Sequence, residues 1–337
     1  MKKNILYLLI LILLGGAVYM LYTSEGASTL GQKALTDFAI ADTSQVGKVI
    51  IDDGRNVIEL ERRDDGHWSL DDEYIAMPHH IDLMLRTFKA VGVQSPVSKS
   101  QKDQVMKIIA GDTRKVEIYD LEGNWIKTWY VGRSTQSNQG TFALLETPQD
   151  GLSNEPFVIE YRGFRGYLTT RFHAIVSEWR WTGLFNYPEL DFKKVQVETP
   201  RVPEAGFSID IQDRYKGEFT LRDHAGNVLD RPKSKIGEYL GGFQSINVEH
   251  FEPDITAAQE DSLLAMDPSF RISVTGPDDS VRTADIYFRK PPVALAARMG
   301  DDVPEIDPER VYVHFDGDVA YGQRLTFDKI LRTVEDF

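Results

Sequence analysis

The feature that most narrows the folds open to this 337-residue chain is a pattern of apolar residues that occurs twice. The first occurrence begins Lys48-Val49-Ile50-Ile51-Asp52 and the second Lys194-Val195-Gln196-Val197-Glu198. Alternating segments follow, Val57-Ile58-Glu59-Leu60 and Phe207-Ser208-Ile209-Asp210-Ile211, then a third with Trp68 and Leu70 or Phe219 and Leu221. Period-two alternation suits half-buried antiparallel strands joined by tight turns such as Asp64-Asp65-Gly66 and Asp223-His224-Ala225-Gly226. The period then becomes helical. Ile81, Met84, Leu85, Phe88 and Val91 follow Pro78, a residue suited to a first helical turn. Ile236, Tyr239, Leu240, Phe243 and Ile246 repeat that spacing at one constant offset after Ser234, which reads as an N-cap. A shorter helical stretch comes next, 101–110 and 257–266, and both occurrences return to strands through Val116, Trp129 and 141–145 or Ile272, Tyr287 and 311–315.

The expected fold class is therefore α+β: two tandem related units, 46–190 and 191–337. In each, antiparallel strands should carry one long and one short helix on a covered face. Coincidental likeness between two generic α+β domains is the competing reading.

Ahead of the repeats, Ile5 to Tyr22 runs 18 residues without a charge. As a helix it would reach roughly 27 Å, close to the thickness of bilayer hydrocarbon. Residues 1–4 carry Lys2 and Lys3, and Glu25 is the first charge after the span. The positive-inside rule then puts 1–4 in the cytoplasm, 5–22 across the inner membrane as a single-pass anchor, and the body in the periplasm. Residues 23–45, small and polar, read as a spacer. A cleaved signal peptide is the rival, but its apolar core would be shorter, and Glu25-Gly26-Ala27 sets a charge where a small residue is wanted. Both readings export the body.

The net charge of −14 argues against nucleic acid as a partner, because phosphate binding needs clustered cations. The absence of cysteine excludes disulfides, thiolate metal sites and thiol catalysis.

The run of strand, strand, tryptophan-bearing strand and apolar helix resembles the bacterial family DUF4340. The resemblance is carried by Lys48-Val49-Ile50-Ile51, Ile58-Glu59-Leu60-Glu61-Arg62, Gly66-His67-Trp68-Ser69-Leu70 and the helix from Ile81 to Val91. It covers the first unit best, and the second lacks the Gly-x-Trp strand. Phe164-Arg165-Gly166-Tyr167-Leu168 through Arg171-Phe172 is similar to Bacteroidetes-type members. The resemblance implies an exported, membrane-tethered protein of a kind similar to those encoded beside ABC-type transport components. It supplies no catalytic residues.

Serine elbows, phosphate loops, dinucleotide fingerprints and the His-Glu-x-x-His zinc helix are all absent from the sequence. His79-His80 is the best metal candidate, yet adjacent helical residues diverge by about 100°, unlike an i, i+4 ligand pair. These histidines read as solvent-facing residues at a helix start, and acidic pairs such as Asp278-Asp279 read as solvated turns. No catalytic residue, metal or cofactor is expected. The segment 161–187 stands apart, because Arg162, Phe164, Arg165, Tyr167, Arg171, Trp179 and Trp181 combine arginine with aromatics, the chemistry of binding hot spots. Packing at the junction of the units is the alternative for these residues. The functional expectation is a non-enzymatic binding or scaffold protein, accessory to an ABC-type transport or cell-envelope complex, with envelope or transporter membrane proteins as partners. An envelope enzyme or carbohydrate-binding protein with a site between the units is the runner-up. A reporter enzyme fused to the C-terminus should be active outside the cytoplasm; activity confined to the cytosol would overturn the orientation.

Overall fold

The computed structural model describes residues 33–251, 255–299 and 303–337. The proposed cytoplasmic segment 1–4, the span 5–22 and the spacer as far as residue 32 lie outside them. Among the described residues, no helix is long and apolar enough to cross a membrane. The chain is α+β and divides into two compact units between Arg180 and Trp181.

The first unit is built on strands β1 (Val46–Asp52), β2 (Val57–Arg62), β3 (Trp68–Leu70) and β4 (Tyr74–Ile75). Helix α1 (Pro78–Ala90), strand β5 (Val91–Pro96) and helix α2 (Lys102–Gly111) follow. Then come β6 (Arg114–Asp120), β7 (Trp125–Ser134), β8 (Thr141–Thr147), β9 (Gly151–Leu152), β10 (Phe157–Tyr161) and the short helix α3 (Val176–Trp179). The strands form one antiparallel sheet in the order β4-β3-β2-β1-β6-β7-β8-β10-β5, with β9 beside β8.

The second unit runs β11 (Gly183–Phe185), β12 (Lys194–Glu198), β13 (Phe207–Asp213), β14 (Glu218–Asp223), β15 (Val228–Leu229), α4 (Lys233–Gly241), β16 (Ile246–Asn247) and β17 (His250–Phe251). It continues with α5 (Ala257–Leu264), β18 (Phe270–Thr275), β19 (Val281–Phe288), α6 (Val293–Met299), β20 (Arg310–Phe315), β21 (Asp318–Gln323) and α7 (Arg324–Phe327). Its large sheet has the order β15-β14-β13-β12-β18-β19-β20-β21-β17. Place for place this is the order of the first sheet, with the edge strand after the long helix (β5 or β17) arriving at the far side in both. β11 and β16 form a separate two-stranded ribbon.

Register explains the cores. Ile58, Ile51, Val116, Trp129 and Leu145 stand opposite one another across five neighbouring strands, and all are fully buried. Leu221, Ile209, Val195 and Val274 form a comparable row in the second unit. Onto the first row α1 lays Ile81, Met84 and Phe88, with the Phe88 ring edge-on to Trp129 at 5.1 Å. In the second unit α4 supplies Ile236, Tyr239 and Leu240, and the turn after it supplies Phe243.

Four expectations need correction. The short helices do not share the face of the long ones. Val105 and Ile109 of α2 pack on Leu144 and Val158, whereas the core under α1 holds Ala143, Leu145, Phe157 and Ile159. Adjacent strand residues point to opposite faces, so α1 and α2 cover opposite sides of the sheet. In the second unit Leu263 of α5 likewise meets Tyr287 and Val319 apart from the main core.

Residues 33–45 belong to the first unit and are not spacer. Phe38 is 1% exposed, and the buried Lys127 on β7 donates to the Asp37 and Ala39 carbonyls at 2.8 and 2.9 Å. The boundary falls at 180/181 instead of 190/191, because β11 pairs with β16 and buries Leu184 and Phe185 in the second core. Finally, α4 begins at Lys233 with Pro232 in the cap position, where its carbonyl accepts from Lys235 and Ile236, so Ser234 lies within the first turn.

Phe88→Ala and Phe243→Ala should each cost about 3–5 kcal/mol of their own unit's stability. Chemical denaturation checks this, and a loss below about 1 kcal/mol for either would contradict the packing described.

Candidate functional site

The arginine–aromatic segment begins where β10 ends against the start of β5, with Tyr161 opposite Val91. The Arg162 amide donates to the Ala90 carbonyl at 3.3 Å, and the Phe164 amide to the Tyr161 carbonyl at 3.0 Å. Gly163, with φ +84°, occupies the third position of that turn, a backbone conformation that a side chain would strain. At its other end the loop is pinned to the sheet. The Leu168 amide donates to Thr141 Oγ1 and the Thr169 hydroxyl to the Gly132 carbonyl, both at 2.7 Å, while Leu168 and Phe172 are fully buried.

Between these anchors the side chains sort by chemistry. Phe164 and Tyr167 are exposed, at 47% and 38%. Arg162 and Arg165 are exposed too and form no ion pair among the described residues. Arg162 lies across Gly92 of β5, where an added Cβ would stand 2.9 Å from its Nε. Arg171 turns inward. Its guanidinium sits 4.8 Å from the Tyr161 ring centre and 5.0 Å from that of Phe164, and Nη1 donates to Thr87 Oγ1 at 2.7 Å. Thr87, fully buried on α1, donates in turn to the Leu83 carbonyl. Burial draws the Arg171 guanidinium down from the ordinary arginine range, and its cation is held by ring faces.

The seven residues singled out in the sequence therefore separate. Arg162, Phe164, Arg165 and Tyr167 form one exposed cluster. Arg171 braces it from beneath, Trp179 is a core residue at 1% exposure, and Trp181 belongs to the second unit. Beside the cluster runs β5, the last strand of its sheet, whose outer edge pairs with no strand among the described residues. Pro96, at the end of that edge, offers no amide donor, a common way to limit edge pairing.

A second cluster was missed in the sequence. His80 and His173 come together at the start of α1 with ring centres 6.2 Å apart. Burial pushes both imidazoles below the ordinary histidine range; the Glu178 carboxylate opposes this at His173, and the Glu178 backbone at His80. His80 is thus not the solvent-facing residue expected, although its neighbour His79 is exposed. A residue 93 positions further along the chain completes the pair, and no local pattern reports it. Among the described residues, no group of three or more His, Cys, Asp or Glu is placed to hold a metal ion.

No family model matches the chain, and neither a curated protein nor a solved structure matches it.

Arg171→Ala removes a hydrogen bond to a buried hydroxyl and two ring contacts, and should lower stability by about 1–3 kcal/mol. Arg165→Ala should leave the urea midpoint of the first unit unchanged. Equal midpoint losses in the two variants would contradict the division of labour described.

Proposed function

We propose that this protein is an exported, membrane-tethered docking protein, non-enzymatic, that binds an envelope or transporter membrane protein through the first unit. The carrying observation is the open edge of β5 beside the exposed Phe164 and Tyr167. An edge strand can accept an extended segment of another protein by main-chain hydrogen bonding, and neighbouring side chains then select which segment. Aromatic rings with two side-chain torsions offer large contact area at little entropic cost. Arg162 and Arg165 favour a partner segment that carries carboxylates, against the strongly acidic balance of the whole chain.

Location belongs to the same proposal. The apolar run 5–22 and the lysines before it support an inner-membrane anchor with a periplasmic body, and the resemblance to DUF4340 supports a role accessory to an ABC-type transport or cell-envelope complex. The doubled strand order supports two related units arising by duplication, and the exposed cluster has its place on only one of them.

A photo-crosslinking residue at Tyr167, expressed in the native host and activated in intact cells, should capture a membrane protein. The same residue at Tyr215, 84% exposed on the second unit, should not. Phe164→Ser should weaken capture from Tyr167 at least about tenfold, as loss of an interface anchor does. A partner-free monomer in detergent extracts with no crosslink at Tyr167 would sink the proposal.

A further inference from the structure

The histidine pair at the start of α1 plays no part in docking as described, yet its surroundings are poorly suited to a structural pair. Nδ1 of His80 and Nδ1 of His173 are both buried without a hydrogen-bond partner among the described residues. Trp179 packs against both rings, with centres 5.6 Å from His80 and 5.5 Å from His173. The same tryptophan ties residues 173–180 to α1. Its carbonyl accepts from Met77 at 2.6 Å, its indole N–H donates to the His173 carbonyl at 2.8 Å, and Arg180 bridges to Ala76.

Adding protons here meets opposition from several sides. His80 lies in the first turn of α1, where the helix dipole disfavours a cation, and that turn contains no carboxylate. His79 adds a third imidazole, its ring 6.0 Å from His80. Two imidazolium rings at the observed separation would repel one another in a partly dry pocket. On the favourable side stand Glu178 of α3, whose Oε2 lies 3.2 Å from His173 Nε2 and whose backbone and carboxylate also favour a charged His80, and Asp53 of the turn after β1, which also feels Arg114 of β6. Asp82 of α1 is paired with Arg86. One close carboxylate faces two imidazoles.

We propose that His80 and His173 form a proton-operated latch: as neutral rings they hold residues 173–180 against α1, and protonation of both releases that segment. The freed stretch directly follows Arg171 and Phe172, which brace the exposed aromatic loop. A change of docking with pH would rest on the reading given above; the latch itself does not. The sign follows from burial. Both rings sit below the ordinary histidine value of about 6.5, so the closed form is complete above that pH and is lost as pH falls through the depressed values.

Hydrogen exchange on the full-length chain in detergent, corrected for intrinsic rates, tests this without any partner. From about pH 7.5 to about pH 5, protection at the amides of Met77, Trp179 and Arg180 should fall at least about tenfold while the amides of β7 stay protected. The H80Q/H173Q double variant should show no such change. Unaltered protection at residues 173–180 in the wild-type chain, or an equal loss in the double variant, would overturn the latch. Should the double variant fail to fold, imidazole titration of the wild-type chain by NMR decides: midpoints below about 6.5 for both rings sustain the latch, and a midpoint at or above that value for either overturns it. Because exchange is read on the chain alone, failure of the docking reading leaves this result intact.

Discussion

The structure depends on a geometric constraint on its strands: successive side chains leave a sheet on opposite faces. In β8 this sends Ala143 and Leu145 to one side and Leu144 to the other, and all three are buried. A sheet apolar on both sides at its middle needs cover on both sides. The first unit supplies it with two helices of different length, α1 over the wide aromatic core and α2 over the smaller patch of Val97, Leu144 and Val158. The second unit answers the same demand with α4 and α5. The matched strand orders go with this shared solution: in both units the strand after the long helix pairs at the far edge of the sheet, beside the last long strand.

Helix α1 links packing to surface chemistry. Its apolar stripe places Phe88 between Trp129 and Phe172, stacked on the latter at an interplanar angle of 9°. One residue earlier, Thr87 receives the Arg171 guanidinium, which holds the turn of Tyr161 and Phe164 from below. At its first turn the helix carries His80 into contact with Trp179. Core, exposed loop and histidine pair therefore all make contact with one helix. Lys127 does comparable work for the beginning of the unit. Burial lowers its ammonium from the ordinary lysine range, and the Asp37 and Ala39 carbonyls hold it in place, so the chain from residue 33 onward is fastened to β7.

The exposed cluster was only partly legible in the sequence. Arginine and aromatic enrichment drew attention to 161–187, and within it the side chains of Phe164 and Tyr167 are exposed. Composition could not separate these from Trp179, which has the same chemistry and lies in the core. Nor could it reveal that Arg171 faces a buried threonine on a helix 84 positions earlier. The histidine pair was wholly hidden, since its members lie far apart in the chain and neither sits in a recognisable motif.

Sequence alone determined the α+β class, the placing of the strands and long helices, and the repetition of one apolar pattern. These follow from local periodicity, which records how each segment presents its apolar face. Tertiary structure decided which face each helix covers, where one unit gives way to the next, and that residues 33–45 join the body. Those outcomes depend on which distant surfaces come together: β11 is claimed by β16, Phe38 by Trp129 and Phe157, and His80 by His173. Periodicity is a property of neighbours in the chain. Burial belongs to neighbours in space.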